Sequence, residues 1–316
     1  MEGQKQQNIQ KKSLKHALFE IYDKKYKMLL VIPLLMLLLA LIQIGYQISS
    51  TGDFIKKDVS LKGGVTVTIP YEKDIDISQI EKQISSKFPE NDVVVRTLKS
   101  AGSAVGIITE ADIDGNDKAQ VQNLLDAVES SLKIDLSVVD YGIEIIGSSL
   151  GASFFKESLI ALAVAFLFMG LVVLIYFRTF VPSMAIILAA FSDMAVALAV
   201  INLLDIRVGT AGIAAFLMLI GYSVDTDILL TVRVLKRKEG AVMDRIISSI
   251  KTGMTETITA IVAVTVAMLV TQSEVIRQIM IILLIGLIAD IFNTWIQNVG
   301  LLRIYIERKA KKGIII

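Results

Sequence analysis

The stretch Thr210-Ala-Gly-Ile-Ala-Ala-Phe-Leu-Met-Leu-Ile-Gly-Tyr-Ser-Val-Asp-Thr-Asp-Ile-Leu-Leu-Thr-Val232 is an apolar run that carries two aspartates beyond its middle. A helix of roughly 20 apolar residues is long enough to cross the hydrocarbon core of a bilayer. Hydrophobic residues make up 54% of the 316, which is more than soluble globular proteins usually contain. We therefore predict an integral membrane protein with six spanning helices, at 28–46, 159–177, 181–204, 210–232, 255–270 and 276–305.

Residues 47–156 form a polar segment between the first two spans, with no apolar run long enough to cross a bilayer. Alternating apolar residues and helical spacing predict four strands and two helices in it, in the order βαββαβ. The elements are expected at 65–69, 78–88, 93–98, 104–109, 117–132 and 138–146. This order is that of a ferredoxin-like fold. The predicted fold class is therefore a membrane all-α six-helix bundle with an extracytoplasmic α+β ferredoxin-like domain.

Lysine and arginine residues indicate the orientation, because they favour the cytoplasmic ends of spans. One orientation places the short basic segments on the same side: residues 1–27, Arg178, the loop 233–253 and the tail 306–316. We therefore predict a multi-pass protein of the cell membrane, with both termini cytoplasmic and five of the spans at 157–305. Residues 47–153, with ten basic and seventeen acidic residues, fall on the opposite side. The first apolar run is too long for a signal-peptide core, so we expect an anchor that remains attached.

Composition excludes several kinds of site. The chain contains no cysteine, so it has no disulfide, no thiolate metal site and no cysteine nucleophile. Its net charge of +1 produces no overall field that would attract nucleic acid. His16 is the single histidine and lacks the further ligands that a metal site needs, and Gly63-Gly64 lacks the spacing of a phosphate loop. We expect no cofactor, no metal, no nucleic-acid partner and no enzymatic activity.

Four aspartates lie inside the apolar spans: Asp193 in the third, Asp225 and Asp227 in the fourth, and Asp290 in the sixth. A charge at mid-bilayer costs at least about 2.5–3.5 kcal/mol, and none of the four has a basic neighbour at helical spacing within its span. We therefore expect them to face the interior of the bundle. Asp225 and Asp227 point about 200° apart on a regular helix, so at most one of them faces any given partner.

Two functions fit Asp225 and Asp227, and the residues leave both open. Carboxyl groups shielded from water can take up and release protons near neutral pH, so either residue could carry an ion relay. Alternatively, the polar run that includes Thr226 and Thr231 could hold the fourth span to a neighbouring helix through hydrogen bonds. For the aspartates of the third and sixth spans, the structural role is favoured.

Three motifs in the spans resemble the SecD and SecF family of protein-export membrane proteins. The run from Gly221-Tyr222-Ser223 through a polar stretch to Arg233 is similar to the family's fourth-span signature. Ser192-Asp193 is similar to its His-Asp pair, with serine in place of histidine. Lys251-Thr252-Gly253-Met254-Thr255 is similar to the Arg-Thr-x-x-Thr that opens the fifth span. The order and spacing of the three motifs also agree with the family.

Two glycine motifs flank the polar domain in places that match the family. Ser60-Leu61-Lys62-Gly63-Gly64-Val65 resembles its Asp-x-x-Gly-Gly motif, and Ile146-Gly147-Ser148-Ser149-Leu150-Gly151 resembles its Gly-x-x-Leu-Gly segment. The resemblance thus covers about residues 28–305 of the chain. The sixth span, from Gly286 to Trp295, is more similar to archaeal than to bacterial members.

The resemblance implies a subunit of an export accessory complex that helps polypeptides cross the membrane and draws on the proton gradient. The implied partners are a SecD subunit, the SecYE channel, the translocating polypeptide and the lipid bilayer, without a cytoplasmic SecA motor. The family's proton-linked aspartate falls at Thr226 in the bacterial SecF pattern and at Asp225 in the SecD pattern, which ranks Asp225 ahead of Asp227. Arg233 and Lys251 are the candidate basic partners.

Two other functions fit parts of the pattern. A six-span unit with one external domain is also half of a resistance-nodulation-division transporter, which would move small molecules or ions. An adjacent gene for a SecD-like half distinguishes the two. Paired aspartates can also activate water in aspartyl proteases, but the Tyr-Asp and Gly-x-Gly-Asp motifs of the intramembrane ones are not matched by Gly221 to Asp225. Aspartate-dependent cleavage of a membrane peptide would identify a protease.

Overall fold

The computed structural model describes residues 22–72, 76–100, 103–237 and 240–312. Within these ranges, six helical segments are long and apolar enough to cross a membrane, as the sequence predicts. We number them as the first to sixth spans: Tyr26–Thr51, Ser148–Phe177, Phe180–Leu203, Thr210–Leu235, Val242–Val270 and Glu274–Lys311. Most of the predicted basic N-terminus with His16, residues 101 and 102 between the predicted strands at 93–98 and 104–109, Lys238 and the last four residues lie outside the described ranges.

The first and sixth spans are not single regular helices. In the first span a short helix at Tyr26–Leu29 precedes the long helix Val31–Thr51. The sixth span consists of a helix at Glu274–Phe292, a π-helical segment at Asn293–Asn298 and a helix at Val299–Lys311. π-Helical turns are rare and occur frequently at functional sites, so this segment is a candidate part of the site.

Two spans start earlier than the apolar pattern predicts. The second helix begins at Ser148 rather than at 159, and the fifth begins at Val242 rather than at 255. Apolar length reports only the part of a helix that lies in hydrocarbon, whereas the helix itself continues wherever its backbone hydrogen bonds do. The predicted loop 233–253 therefore consists largely of the end of one helix and the start of the next.

The third and fourth spans are the most buried. In the most apolar part of each, 56% of the residues are buried, against 11% in the second and in the fifth span. Two apolar clusters lie along the fourth span, one containing Phe216 and Leu219 and the other containing Leu230 and Val234. The buried polar residues Ser223, Thr226 and Asp227 lie between these two clusters along the span.

The segment between the first and second spans folds into a four-stranded antiparallel sheet with the strand order β2-β3-β1-β4. The strands are β1 (Gly64–Pro70), β2 (Val93–Ser100), β3 (Ser103–Ala111) and β4 (Gly142–Ile146). Helices at Ile77–Ser85 and Lys118–Leu132 follow β1 and β3. The order of elements is therefore βαββαβ, as the sequence predicts, and we call this unit the α+β domain.

One face of the sheet forms the core of the α+β domain, because β1 alternates apolar and polar residues. Val65 and Val67 are fully buried in a cluster with residues of the two helices, whereas Thr66 points to the opposite face. Each helix begins after an aspartate, Asp76 or Asp117, whose side chain accepts backbone N–H groups of the first turn. Aspartate is among the preferred N-cap residues for this reason.

Local hydrogen bonds change two boundaries of the α+β domain. The last strand begins at Gly142 rather than at 138. Asp135 accepts hydrogen bonds from the backbone N–H and the hydroxyl of Ser137, and such contacts favour a turn over a strand. A short helix at Val59–Lys62, capped by the side chain of Asp58, was not predicted.

The second face of the sheet lies over the adjacent ends of the fourth and sixth spans. The Val208 N–H donates to the carbonyl of Lys56 at 2.7 Å, and the Asp58 N–H donates to the carbonyl of Val208 at 3.1 Å. Between the sheet and the spans lies a cavity of about 310 Å³, whose lining includes Thr66 and Gln278. The α+β domain is therefore fastened to the bundle directly, in addition to its two chain connections.

Candidate functional site

Three of the four membrane aspartates meet in the interior of the bundle. Asp193, Asp227 and Asp290 are fully buried, and they come from the third, fourth and sixth spans. Asp193 accepts hydrogen bonds from the Ser223 hydroxyl at 2.6 Å and from the Asn293 side-chain amide at 2.7 Å. We call these three aspartates the carboxylate cluster.

The other two carboxylates of the cluster accept hydrogen bonds from the sixth span. The Asn298 amide donates to Asp227 at 2.7 Å, and the Thr294 hydroxyl donates to Asp290 at 2.8 Å. One carboxylate oxygen of Asp290 accepts no hydrogen bond from a described residue. The second carboxylate oxygen of Asp227 accepts no hydrogen bond from a described residue.

The π-helical segment explains why the sixth span supplies so many donors. Asn293, Thr294 and Asn298 all belong to it and are fully buried. On a regular α-helix, residues 293 and 298 would point about 140° apart. The wider turn of a π-helix, which is bonded between residues five apart, brings them closer to one side. The change of helix type thus turns two amides toward two different carboxylates.

The carboxylate cluster has no basic partner in the part of the chain that the structure describes. Its donors are neutral amides and hydroxyls, and no ion pair includes any of the three aspartates. Like charges repel more strongly in a low-dielectric interior than in water. Protons or other cations that enter the cluster can relieve this repulsion, and reversible entry is what an ion relay requires.

The fourth aspartate lies on the outside of the bundle. Asp225 is exposed on the fourth span, so the expectation that all four aspartates face the interior is wrong for this residue. The reason is the spacing of two residues, because side chains about 200° apart cannot both face the same interior. Asp227 occupies the inward side, and Asp225 makes no hydrogen bond or ion pair with another described residue.

The predicted basic partners do not reach the membrane aspartates. Arg233 donates instead to the Ser248 carbonyl at 3.0 Å and to the Thr252 hydroxyl at 2.8 Å, which joins the fourth span to the fifth. Lys251 is exposed on the fifth span. Neither side chain forms an ion pair with an aspartate among the described residues, so the pairing that the resemblance implied is absent from this arrangement.

The two threonines of the polar run contribute packing. Thr226 and Thr231 are buried, and their hydroxyl groups have no hydrogen-bond partner among the described residues. A Cβ atom on Gly253 of the fifth span would lie 3.2 Å from the methyl carbon of Thr226. The polar run therefore separates into one residue that joins the carboxylate cluster, Asp227, and neighbours that pack against adjacent helices.

Comparison with known proteins gives the family. A model described as "Protein export membrane protein SecD/SecF, C-terminal" matches residues 127–308. The protein-export membrane protein SecF of Methanocaldococcus jannaschii is 36% identical over 296 residues, which cover 92% of this chain and 99% of that protein. SecF of Pyrococcus furiosus is 36% identical over 307 residues, which cover 96% of this chain and 98% of that protein. The chain belongs to the SecD/SecF family of protein-export membrane proteins.

A solved structure supports the fold of this SecD/SecF family member. The crystal structure of SecDF from Thermus thermophilus, described as a translocon-associated membrane protein, matches with a TM-score of 0.67 and 16% identity. The match covers 89% of this chain and 38% of that longer chain. The family resemblance that the motifs indicated is confirmed, and the similar relatives with SecF names are archaeal.

The glycine motif that resembles the SecD/SecF pattern brings the α+β domain against the second span. A Cβ atom on Gly63, whose φ is +87°, would lie 2.4 Å from the Cα of Ser148, and one on Gly151 would lie 2.6 Å from the nitrogen of Gly63. The two glycines permit a backbone contact that side chains would prevent. Leu61 is buried in an apolar cluster with the third, fourth and sixth spans, and Gly64 also has a positive φ.

Lys62, the charged residue of this SecD/SecF motif, belongs to an ion-pair network that crosses to the bundle. Asp92 of the α+β domain pairs with Lys62 and with Arg207, each at 2.7 Å. Hydrogen bonds from Arg207 and Lys62 lower the pKa of Asp92 to about 2. Because Arg207 lies between the third and fourth spans, these pairs fix the α+β domain to the end of the bundle.

A second ion pair at the same junction contains a buried carboxylate. Glu110 on β3 is buried and pairs with Arg96 on β2, while Arg96 also lies 3.6 Å from Glu274 at the start of the sixth span. Burial raises the pKa of Glu110, although the charge of Arg96 acts in the opposite direction. The sheet is thus joined to the sixth span through an arginine shared between two acids.

The hydrogen-bond donors of the carboxylate cluster were not predicted as site residues. The signal was present in the sequence, because the segment Asn293-Thr294-Trp295-Ile296-Gln297-Asn298 places four amide or hydroxyl side chains within an otherwise apolar span. A hydropathy average over the whole span is dominated by its apolar residues and hides such a short polar run. Polar residues inside membrane helices tend to hydrogen-bond across the bundle, so the run could have been paired with the aspartates.

Proposed function

We propose that this protein is the SecF subunit of a SecDF-type accessory complex, which assists Sec-dependent translocation of polypeptides across the cell membrane and draws on the proton gradient. Family membership and the match of nearly the whole chain to proteins named SecF support this proposal. The proposed partners are a SecD subunit, the SecYE channel and the translocating polypeptide. The protein moves polypeptides and ions and catalyses no covalent step.

The carboxylate cluster is the observation on which the coupling part of the proposal rests. Asp193, Asp227 and Asp290 are fully buried in the membrane-spanning part, where an ionisable residue indicates an ion path more often than a structural contact. Entry or release of one proton changes the charge of the cluster by one unit. Movement of one charge across a membrane potential of 100 mV is worth about 2.3 kcal/mol, which is enough to shift the balance between two arrangements of the helices.

We assign the relay to Asp227 with Asp193 and Asp290, in place of Asp225, which the resemblance ranked first. Asp227 lies inside the bundle and one of its oxygens accepts no hydrogen bond from a described residue, so that oxygen is available to a proton. Asp225 faces away from the cluster and cannot exchange a proton with it directly. The neighbouring carboxylates of Asp193 and Asp290 can accept the proton that Asp227 releases.

The π-helical segment is the part of the bundle that responds to the charge of the cluster. Asn293 and Asn298 hold two of the carboxylates, and their common orientation depends on the π turn. When a carboxylate gains a proton, its charge-assisted hydrogen bond becomes an ordinary one and weakens. The sixth span can then return toward regular α-helix, which rotates its far end relative to the third and fourth spans.

The α+β domain receives this movement in our proposal. We infer that it is a ferredoxin-like domain on the outer side of the membrane and that both chain ends are cytoplasmic, because the short basic segments share one side. The domain is bonded to the fourth and sixth spans through Val208, Arg207 and Glu274. A shift of these spans is therefore transmitted to the domain, which contacts the emerging polypeptide.

Export of a reporter protein tests the coupling. Cells carry Asp193→Asn, Asp227→Asn or Asp290→Asn as the single copy of the gene, with membrane level and SecD co-purification checked to be normal. We expect the rate of export to fall about tenfold or more for each, equivalent to at least about 1.4 kcal/mol of the barrier. Asp126→Asn is the matched control, because Asp126 is exposed on the outer side of a helix of the α+β domain and, among the described residues, accepts hydrogen bonds from Gln122 and Ser130 of its own helix.

Proton movement gives a second readout. Vesicles that contain the complex of this protein with its SecD subunit are loaded with a pH-sensitive dye, and a membrane potential is applied. We expect proton uptake with the wild type and with Asp126→Asn, and loss of uptake with Asp227→Asn. Normal export and normal proton uptake in all three cluster variants would show that the carboxylates only hold the helices together.

A further inference from the structure

The backbone carbonyl of Trp295 has an unusual position in the π-helical segment. The N–H of Val299 donates to the carbonyls of Thr294 and Ile296. In a regular α-helix the same N–H would donate to Trp295, four residues before it. The regular helix resumes from Val299, and in its pattern Gly300 donates to Ile296. The carbonyl of Trp295 is therefore the one that the change from the π to the α pattern skips.

A tyrosine from a distant part of the chain supplies a donor for this carbonyl. Tyr22 lies just before the first span, which begins at Tyr26, and its hydroxyl donates to the Trp295 carbonyl at 2.6 Å. Backbone carbonyls in a protein interior need such a partner. Burial raises the pKa of Tyr22 above its ordinary value, although the charge of Arg303 acts in the opposite direction. The hydroxyl therefore keeps the proton that it donates.

Arg303 of the sixth span holds Tyr22 in this position. Its guanidinium group donates to the carbonyl of Tyr22 at 3.3 Å and to that of Asp23 at 3.0 Å. It also forms an ion pair with the Asp23 side chain at 2.7 Å. The ring of Tyr22 packs against the apolar cluster that contains Leu230 and Trp295. Backbone, ring and hydroxyl of Tyr22 are thus each fixed by the bundle.

We propose that Tyr22 is a positioning residue of the carboxylate cluster, which stabilises the π-helical turn at Trp295 through its hydroxyl. The turn places Asn298, the last residue of the π-helical segment, so that its amide donates to Asp227 at 2.7 Å. Without the hydroxyl, the Trp295 carbonyl regains a donor when Val299 returns to the regular pattern. Asn298 then turns away from Asp227. The part of this inference that concerns ion movement rests on the function proposed above.

Tyr26 is the matched comparison on the same short segment. Its hydroxyl donates to the Glu307 carboxylate at 2.6 Å, and its ring is buried. Glu307 belongs to the regular helix Val299–Lys311, beyond the π-helical segment. Both tyrosines thus bond to the sixth span at the same distance, but Tyr26 bonds to a side chain and Tyr22 to the carbonyl that the π turn frees. A general effect of replacing tyrosine by phenylalanine would appear at both positions.

The infrared spectrum of one carbonyl tests the hydrogen bond directly. Trp295 is the single tryptophan of the chain, so growth on tryptophan with a carbon-13 carbonyl labels this carbonyl alone in the purified full chain. We expect Tyr22→Phe to move the labelled band to higher wavenumber. The reason is that the bond of 2.6 Å is lost, or is replaced by the longer bond that an amide N–H makes. Tyr26→Phe should leave the band unchanged.

Proton uptake and stability test the positioning role. In vesicles that contain the complex with the SecD subunit, we expect Tyr22→Phe to take up protons about tenfold more slowly than the wild type or Tyr26→Phe, equivalent to about 1.4 kcal/mol. In the Asn298→Ala background, Tyr22→Phe should slow uptake no further. The loss of thermal midpoint in Tyr22→Phe/Asn298→Ala should also be smaller than the sum of the two single losses. Membrane level and SecD co-purification are measured in every variant.

The possible outcomes separate this inference from the function on which it partly rests. An unchanged Trp295 band in Tyr22→Phe, or additive thermal losses with Asn298→Ala, would each overturn the positioning role. Equal uptake in Tyr22→Phe and Tyr26→Phe would overturn it too, if Asp227→Asn abolishes uptake, and the proposed function would then stand without Tyr22. If the band shifts and the thermal losses are coupled but Asp227→Asn takes up protons normally, Tyr22 still positions the donors of the cluster and the ion relay fails.

Discussion

The side-chain amide of Asn298 donates to the carboxylate of Asp227 at 2.7 Å, between two residues that are both fully buried. The bond joins the sixth span to the fourth and is the one hydrogen bond that the described residues donate to Asp227. It depends on the π-helical turn, because Asn298 is the last residue of that segment. The geometry of one unusual turn thus controls the environment of one buried carboxylate.

Replacement of Asn298 should therefore destabilise the protein, because it removes the hydrogen-bond donor of the buried Asp227 carboxylate. Asn298→Ala leaves Asp227 without a described hydrogen bond, and loss of a partner for a buried acceptor costs about 1–3 kcal/mol, more if the acceptor is charged. We expect a lower thermal midpoint in detergent. In Asp227→Asn/Asn298→Ala the loss should be smaller than the sum of the two single losses, because the interaction can be removed only once.

Gln297→Ala is the comparison for this prediction. Gln297 is also fully buried, but its amide lies 3.5 Å from the Ser192 hydroxyl, at the limit of a hydrogen bond. The substitution creates a larger cavity and removes a weaker contact. Additive losses in the Asp227 and Asn298 pair would contradict the coupling, whatever the size of each single loss.

The contact of Gly63 with the second span yields a second prediction. Gly63→Ala places a Cβ atom 2.4 Å from the Cα of Ser148, and the backbone must move to admit it. We expect a cost of about 1–3 kcal/mol for the overpacking, in addition to about 1–3 kcal/mol for a side chain in a backbone conformation (φ +87°, ψ 162°) that is essentially restricted to glycine. The measurement is the free energy of unfolding in detergent, with proteolysis of the α+β domain as a local readout.

Gly52→Ala is the comparison at another glycine with a positive φ. Gly52 has φ +80°, and a Cβ atom there would meet no atom within 4 Å. Both variants introduce a side chain at positive φ, but Gly52 has ψ −13°, near the left-handed helical region, whereas Gly63 has ψ 162°, in a region essentially restricted to glycine. We therefore expect Gly63→Ala to be the more destabilising variant, through both its backbone conformation and its contact with the second span. If Gly63→Ala is no more destabilising than Gly52→Ala, the α+β domain is not packed on the second span as closely as described.

Gly253 on the fifth span allows a third prediction, about helix packing. A Cβ atom on Gly253 would lie 2.3 Å from the Cζ2 atom of Trp295, next to the π-helical segment. Gly253→Ala should therefore destabilise by about 1–3 kcal/mol through overpacking. Gly45→Ala on the first span meets no atom within 4 Å and should stabilise by up to about 1 kcal/mol, since alanine is the better helix former. Thermal midpoints that move in the same direction would contradict this arrangement.

The sequence predicts the elements well and the carboxylate cluster poorly, for one physical reason. Six spans and the order βαββαβ follow from apolar length and periodicity, which are local properties of the chain. The cluster depends on which sides of the third, fourth and sixth spans meet, and that is decided by packing between residues far apart in sequence. Helical geometry predicts that only one of Asp225 and Asp227 faces inward, but both sides of that span carry apolar neighbours, so it does not predict which.

The π-helical segment could not be predicted for a related reason. Asn293 and Asn298 are five apart, a spacing that a regular helix places on different sides. Nothing in apolar periodicity distinguishes a helix with one wider turn. The resemblance ranked Asp225 first because a motif records only the order of residue types. The structure adds the orientation of the side chains, and the π-helical segment turns Asn298 toward Asp227.

A fourth prediction concerns Asp92 and Arg207 at the junction. The pKa of Asp92 is lowered to about 2, so the unfolded chain binds a proton at higher pH than the folded protein does. The stability from these ion pairs is fully present above the ordinary aspartate pKa of about 3.9 and is lost as the pH falls toward about 2. Arg207→Gln should remove the larger part of this effect, because the hydrogen bond from Arg207 is its largest cause.

Hydrogen exchange of the backbone amides measures this junction directly. We expect Arg207→Gln to speed the exchange of Asp58 and Val208, whose N–H groups bridge the α+β domain and the bundle. Arg277→Gln is the control, because Arg277 lies on the sixth span and donates to the Thr271 carbonyl at 3.4 Å. Equal exchange in the two variants would show that the backbone bridge holds the domain without the ion pairs.

The last prediction concerns the pH dependence that Glu110 contributes. Burial raises the pKa of Glu110 above its ordinary value, so the folded protein binds a proton at pH values where the unfolded chain has released it. The resulting stability is fully present below the unfolded pKa of about 4.3 and is lost as the pH rises through the raised folded pKa. This sign is opposite to that of Asp92, although both carboxylates belong to the same junction.

Glu110→Gln removes the titrating group and keeps the approximate size of the side chain. We expect the thermal midpoint of the wild type to fall relative to that of Glu110→Gln as the pH rises above the unfolded pKa of about 4.3, because only the wild type has this proton to lose. Glu144→Gln is the control, because Glu144 lies on the exposed edge strand β4 and lines the same cavity. A difference between wild type and Glu110→Gln that stays constant with pH would mean that Arg96 keeps Glu110 ionised throughout, and that the pair acts as a fixed link between the sheet and the sixth span.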